Sequence, residues 1–378
     1  MKVDDLTLIK CIGKGNFGEV YLTKKKGKSQ LYATKKMDKA MCEKPENLKR
    51  LTNEIQLLSM INHTNIIKLI GLKKTQHNWY LVTEYCNGGS LSDNLKKYMA
   101  SFHKPFSEEI VQYFMKQIVN ALNYLHLNKI IHRDLKLDNI LLNFPSDKEK
   151  NSLNLMKSVV KIIDFGFATK LSGKLAFTAL GTPTNMDPKI LRHINTGIQN
   201  TGYDEKADIW SLGTLCYEML VGHMAFSGKS MRELYQEVIN GTYFLPVSLS
   251  KEVVSFINGM LQQDPHKRLT ASQLLNHDFL TKHPSKFQPV DVRKIPGTLA
   301  PGGVIKMKSN NQPQINDQPL QLWAIFNQPG IIPPAIPAQI SVPIQPQIQI
   351  AQQAYIVPQQ QVFINQPVIQ QMPLGGYY

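Results

Sequence analysis

Negative charge is scarce in this 378-residue chain: 28 Asp and Glu stand against 43 Lys and Arg, a formal net charge of +15. Such an excess suits nucleic acid, a membrane surface or an acidic protein as partner. No dense Lys/Arg block is interleaved with aromatics, however, so a nucleic-acid-binding role is not expected. Cysteine is sparse as well. Cys11, Cys42, Cys86 and Cys216 lie far apart, with no C-x-x-C pair and no metal-ligand spacing. They read as reduced thiols of a cytoplasmic protein, with the nucleus also open. Long apolar runs are missing: nothing approaches the roughly 18 residues of a membrane span. The opening "MKVDDLTLIK" has no apolar signal core, and neither end resembles a lipidation signal.

Charge runs low again beyond residue 283, where Pro, Gln and Asn take over, as in "PPAIPAQISVPIQPQIQIAQQ". Pro recurs too often there for a helix or a central strand. Residues 283–378 are therefore expected to form a disordered, low-complexity tail.

The part before it divides in two. Residues 6–36 and 66–85 carry short alternating runs, "EVYLTKK", "LYATKK" and "WYLVTEY", which predict strands. Between them, Leu48, Leu51, Ile55, Leu58 and Ile61 repeat at helical spacing. From Leu91 to Leu280 helical patterns dominate, and Ser107 is the expected N-cap of "SEEIVQYFMKQIVNALNYLH". The fold class is α+β: a small strand-rich lobe (6–84), a joint at 84–89, and a larger helical lobe (90–280).

Three motifs carry chemistry. In "GKGNFGEV", Gly13, Gly15 and Gly18 lie between two strand-like runs, where backbone N–H groups can approach phosphates. A dinucleotide fold is disfavoured, because Glu19–Lys24 continues as a strand instead of opening a helix. In "YATKK", Lys35 sits on a strand and Glu54 on the following helix; a lysine clamped by a carboxylate is held to meet phosphate oxygens. Third, "IIHRDLKLDNILL" places His132, Arg133, Asp134, Leu135 and Asn139 at the spacing H-R-D-L-x-x-x-N, and "KIIDFGFA" follows with Asp164, Phe165 and Gly166. Five specified residues recur by chance at about one position in three million. Asp134 can accept a hydroxyl proton, while Asn139 and Asp164 offer the hard oxygen ligands that magnesium prefers.

In this order the motifs make residues 6–280 resemble a eukaryotic protein kinase. The resemblance implies a two-lobed fold with ATP and Mg2+ in the cleft and proteins with Ser/Thr hydroxyls as substrates. Gly13, Gly15 and Gly18 would cover the phosphates, and Lys35, paired with Glu54, would hold them. Ile12, Val20, Ala33 and Leu141 would enclose adenine, behind Thr83 and against the backbone of Glu84 and Cys86. Asn139 and Asp164 would hold the metal, and Asp134 would orient the acceptor hydroxyl. Leu58, His132 and Phe165 match a core that links the lobes, and Asp208 a brace for the catalytic loop. Lys136 marks the serine/threonine branch. The stretch "GTYFLPVSLSKEVVSFINGMLQQDPHKRLTASQLLNHDFL" is similar to the autophagy-initiating kinases. An insertion, about Asn143 to Lys157, is expected to be a surface loop.

The chain departs from the family in "GTPTNMDPKIL", Gly181 to Leu191, where GTPxYxAPE is expected. Asn185 replaces Tyr, Asp187 replaces Ala, and Lys189 reverses the charge of the Glu that would pair with Arg268. Two cations are then expected to face each other unless Lys189 turns outward. An active kinase is the favoured reading, and a pseudokinase scaffold the alternative. Thr178 matches the usual activation site, and its phosphate could pair with Arg133. Ala179, Leu180, Pro183 and Met186 would line the pocket for the residue after the phosphoacceptor. In the tail, Pro334–Pro337 gives a P-x-x-P match and Leu322–Phe326 an apolar island, either of which could dock a partner.

Overall fold

The computed structural model describes residues 6–15, 18–151, 154–171, 176, 181–196, 202–289, 297–300 and 304–308. Five antiparallel strands form the first sheet: β1 (Leu6–Gly15), β2 (Gly18–Lys25), β3 (Leu31–Asp38), β4 (Leu69–Lys74) and β5 (Asn78–Glu84), in the order β1-β2-β3-β5-β4. Period-two alternation sets the faces. On β3, Tyr32 and Thr34 are buried, while Ala33 and Lys35 lie on the opposite, partly open face.

Two helices join β3 to β4: α1 (Lys39–Cys42), and α2 (Pro45–Met60), which opens with Pro where a missing N–H does no harm. The expected stripe holds only in part. Leu51 and Leu58 are buried, but Leu48 is 38% exposed, and Leu57 with Glu54 completes the inner face. The helix is rotated from the purely apolar phase because a carboxylate is turned inward, toward Lys35.

The second lobe is built on α3 (Leu91–Phe102) and α4 (Glu108–Leu127), followed by β6 (Ile130–Ile131), β7 (Ile140–Asn143), α5 (Asp147–Asn151), β8 (Val159–Ile162) and β9 (Thr169–Lys170). Strands β6 and β9 pair, as do β7 and β8. As expected, Ser107 caps α4, its Oγ accepting the Ile110 N–H. The chain continues through α6 (Pro188–Thr196), α7 (Lys206–Val221), α8 (Met231–Asn240), β10 (Thr242–Pro246), α9 (Lys251–Met260), α10 (Ala271–Leu275) and α11 (Asp278–Thr281). Helix α7 is buried on all sides, as a helix apolar all round must be, and Trp210 on it stacks on Phe226 with ring centroids 5.6 Å apart.

Backbone contacts tie the joint and the first lobe to the second lobe. Gly88 N–H donates to the Leu142 carbonyl (2.8 Å) and Leu142 N–H to that of Gly89 (2.9 Å). A Cβ at Gly88 would lie 2.6 Å from the Leu142 oxygen, so only glycine permits this approach. Deeper, Ile66 bridges Ile162 of β8. The insertion after β7 contains α5 and a 3-10 turn at Leu155–Lys157. It is anchored at both ends: Leu155 is buried, and Phe144 exchanges hydrogen bonds with the Asn87 side chain beside the joint.

Within the stretch expected from composition to be unstructured, Pro284–Lys286 forms a 3-10 turn and two short strands follow. Strands β11 (Gly297–Ala300) and β12 (Val304–Lys308) pair with each other, and β12 pairs with β10. Alternation explains it: Ile305 and Met307 are buried opposite Leu245 and Tyr243, while Lys306 is exposed opposite Phe244. Two apolar residues in period two suffice to add a strand to an open edge. Ile305→Asp is expected to remove about 1.5–3 kcal/mol of burial and to release this hairpin. Hydrogen exchange at 242–246 reads it; unchanged protection there would contradict the pairing.

Candidate active site

One row of the sheet lines up Gly13, Val20, Lys35 and Leu81 across β1, β2, β3 and β5, and the next places Ala33 beside Thr83. Gly13, Val20, Ala33 and Lys35, among the nucleotide-facing residues expected from the sequence, therefore share one face. Val20, Ala33 and Leu141 are only partly buried, and Ile12 is 40% exposed. The hairpin tip, residues 16–17, lies outside the described residues. A Cβ at Gly13 or Gly15 would meet nothing closer than 3.8 Å, so space beside these residues is open. Gly18 differs: its φ is +147°, and a Cβ would fall 2.0 Å from the Lys36 carbonyl oxygen. The fold itself demands glycine there. At the joint, Glu84 spends its carboxylate on Lys161 Nζ and the Lys68 N–H, both at 2.8 Å. Burial pushes the Cys86 thiol up to about 12, which keeps it neutral.

Lys35 Nζ lies 3.9 Å from Glu54 Oε2. Burial pulls the lysine pKa down, but the carboxylates of Glu54 and Asp164 outweigh it, and the result is raised. Burial raises Glu54 despite Lys35, as an ion pair this open gives incomplete compensation. His132 packs edge-on against Phe165, centroids 5.0 Å apart, with Nε2 3.0 Å from the Ile163 carbonyl oxygen. These contacts set the D-F-G stretch, where Asp164 has φ +63° and its Oδ1 accepts the Gly166 N–H.

Asp134 is the most elaborately held residue of the cleft. Its Oδ1 accepts the Thr182 hydroxyl (2.7 Å), and its Oδ2 accepts Lys136 Nζ and Asn139 Nδ2 (2.9 Å each). Lys136 also donates to Thr182 Oγ1 at 2.8 Å. Burial would raise the pKa of Asp134, but the charge and hydrogen bond of Lys136, then Thr182, leave it lowered. It is a carboxylate at neutral pH.

Behind it, Arg133 takes φ +69°, a left-handed conformation that disfavours side chains by about 1–2 kcal/mol. Asp208, fully buried on α7, holds that shape: its Oδ1 accepts the Arg133 N–H and its Oδ2 the His132 N–H, both at 2.8 Å. His126 Nε2 lies 3.1 Å from the same Oδ2. The role of His126 escapes sequence reasoning, since nothing in its spacing marks it. Arg133 donates through Nε to the Phe167 carbonyl and through Nη1 to the Tyr203 hydroxyl at 3.1 Å. Thr178, with Ala179 and Leu180, lies outside the described residues.

The donor set can be compared with the magnesium and ATP that the resemblance implies. Asn139 spends its amide nitrogen on Asp134, which leaves its amide oxygen, an acceptor, for another partner. With Asp164 this gives two hard oxygens. No group of three His, Cys, Asp or Glu able to hold a metal occurs among the described residues. Few protein oxygens, with the remainder supplied by phosphate and water, is the pattern magnesium takes. The residues fit.

The altered segment does not set two cations against each other. Lys189 points to solvent, and Arg268, fully buried, pairs through Nη1 with Oδ2 of Asp187, which is 2% exposed. The same Nη1 donates to the Lys206 carbonyl and Nε to that of Gln262, and the guanidinium lies 5.1 Å from the Trp210 ring centroid. Asp187 Oδ1 accepts the Lys189 N–H at 2.6 Å. Asn185 is buried too, its Nδ2 donating to Thr214 Oγ1 and its carbonyl accepting the Ser211 hydroxyl. Among the described residues, no helix is long and apolar enough to cross a membrane.

Residues 6–280 match the family described as protein kinase domain. Among curated proteins, the chain is 32% identical over 283 residues to the serine/threonine-protein kinase PLK4 of Danio rerio, covering 74% of this chain and 28% of that protein. It is 30% identical over 289 residues to an Aurora kinase of Dictyostelium discoideum, covering 76% and 69% respectively. A third relative, the probable serine/threonine-protein kinase fhkC of Dictyostelium discoideum, is 34% identical over 281 residues, 73% of this chain and 44% of its own length.

Proposed function

The chain belongs to the protein kinase family, and on that premise we propose that it is a working serine/threonine kinase, transferring the γ-phosphoryl group of ATP to protein hydroxyls. The observation that carries this reading is the set of hydrogen bonds on Asp134: Lys136, Asn139 and Thr182 all lie within 2.9 Å of its carboxylate. When bound, magnesium-ATP supplies the transferable group and much of the charge neutralisation. The side chains do the rest. Lys35, steadied by Glu54, holds phosphate oxygens, and Asn139 and Asp164 hold the metal. Asp134, ionised and oriented, accepts a hydrogen bond from the acceptor hydroxyl and aims it. Its lowered pKa makes it a weak base, so it orients the hydroxyl first and takes the proton late. Lys136 sits beside Asp134, where it can neutralise charge developing on the phosphoryl group.

The pseudokinase alternative draws on the altered motif, Asp187 and Lys189. The pairing of Arg268 with Asp187 supports the active reading, because the buried cation has a partner. Resemblance to the autophagy-initiating kinases rests on one stretch of the second lobe, and a cytoplasmic setting on composition. Both stay within the proposal, as do docking partners for the tail, whose motifs at 322–326 and 334–337 lie outside the described residues.

Incubating the full chain with peptide libraries that offer Ser, Thr or Tyr tests the substrate class. Ser and Thr acceptors followed by an apolar residue are expected; exclusive Tyr transfer would contradict the reading. Control through Thr178 belongs to the same proposal. Thr178→Ala is expected to lower kcat about tenfold or more, with phosphate mapped to Thr178 in the active wild type. Full activity of Thr178→Ala would remove the site from the scheme.

A further inference from the structure

Three departures from the family pattern fall within five residues, Asn185, Asp187 and Lys189, and they belong to a single arrangement. Asn185 is hydrogen-bonded to α7 through Thr214 and Ser211. Asp187 is ion-paired with Arg268 and hydrogen-bonded to the N–H of residue 189 at the start of α6. Lys189 is left in solvent. The segment thus enters the protein at 185 and 187, and the charge reversal stands outside it.

We propose that Asp187 is the positioning residue that fastens the stretch Gly181–Leu191 to the second lobe, and so holds Thr182 against Asp134. The acid has moved two residues toward the N-terminus, and Lys189 is its by-product. The path is short and made of rigid parts. Arg268 is fixed by two carbonyls, by the Trp210 ring and by Asp187, while its Nη2 has no hydrogen-bond partner among the described residues. Asp187 is the carboxylate with which it is ion-paired. From Asp187 the chain runs through buried Met186 and Asn185 to Thr182, whose hydroxyl is 2.7 Å from Asp134. Gly181, at φ +126°, leaves no slack: a Cβ there would sit 2.6 Å from the Arg133 carbonyl oxygen. Loosening Asp187 frees the ledge on which a protein substrate would lie, whereas the nucleotide face is built on β1–β3 of the other lobe. Residue 187 is thereby linked to acceptor binding and alignment, and separated from nucleotide binding.

The effect on transfer rests on the kinase reading; the fastening itself does not. Full-length wild type, Asp187→Ala and Asp187→Ala/Lys189→Glu are compared by hydrogen exchange over 181–196 and by peptide and ATP kinetics. Asp187→Ala is expected to raise exchange over 181–191 at least tenfold and to lower kcat/KM for peptide about 10²-fold, with KM for ATP changed less than twofold. The double variant is expected to regain at least tenfold of the peptide loss, because an acid then reaches Arg268 from the position the family uses. Unchanged exchange and peptide kinetics in Asp187→Ala would overturn the proposal, as would no recovery in the double variant. If wild type transfers nothing, the exchange comparison still decides the fastening. If Asp187→Ala does not fold, Asp187→Ala/Arg268→Met removes the stranded cation. Faster exchange in that variant supports the proposal, and wild-type exchange contradicts it.

Discussion

Asp208→Ala is expected to destabilise the protein by about 3–5 kcal/mol, lowering Tm by roughly 6–10 °C, and to abolish transfer. Its carboxylate accepts the backbone N–H groups of both His132 and Arg133, and it faces His126. Alanine leaves two donors buried without partners and releases Arg133 from its left-handed conformation. Asp134 follows Arg133 directly, so the catalytic loop loses its shape along with its stability. Acid should reveal the same residue. Burial would raise the Asp208 pKa, but the hydrogen bond and charge of His126, with those of His132, leave it lowered. A lowered folded-state pKa contributes stability that is fully present above the unfolded value, about 3.9, and lost as pH falls through the folded one. Wild type should therefore lose stability steeply below about pH 4. Asp208→Asn should start from a lower stability and show a shallower acid limb in denaturant titrations. Equal acid limbs would contradict this account of Asp208.

The second large effect is expected from Lys35→Met, which should lower kcat/KM about 10²- to 10³-fold with little change in Tm. Lys35 and Glu54 face each other at 3.9 Å on the inner face of α2, and burial already raises the Glu54 pKa. Without the lysine, Glu54 can take up a proton, so the fold loses a charge pair without stranding a charge. The catalyst loses its only cation placed on the Gly13–Val20–Leu81 row. Steady-state kinetics beside thermal unfolding separates the two effects. Pairing Lys35→Met with Glu54→Gln should add less than tenfold, because both act through one arrangement. Additive losses would mean that the two residues work independently.

Legibility in the sequence followed the range over which a constraint acts. His132–Asn139 and Asp164–Gly166 were readable because proton and metal chemistry require set residue types at set spacings, all within one short stretch of chain. The strand rows holding Val20, Ala33 and Lys35 were readable from alternation. The Asp187–Arg268 pair was not, since its partners are 81 residues apart and an acid two positions from the expected one carries no mark of what it meets. Leu48 falls outside the buried face of α2 because Glu54 faces inward, and a period count registers only apolar residues. The strand pair Gly297–Ala300 and Val304–Lys308 was hidden by the Pro- and Gln-rich composition around it. Its two buried residues, Ile305 and Met307, count for little in an average and decide the pairing locally.

The most direct test of the central claim, that the catalytic apparatus works despite the altered segment, is ATP-dependent phosphate transfer by the full chain. Transfer to a generic basic protein and to the chain itself is followed by mass spectrometry, with Asp134→Asn prepared in parallel to exclude a contaminating kinase. The account predicts phosphate on Ser and Thr with wild type, reduced at least 10²-fold in the variant. Intact magnesium-dependent ATP binding with no transfer by wild type, or equal transfer by both proteins, would contradict it.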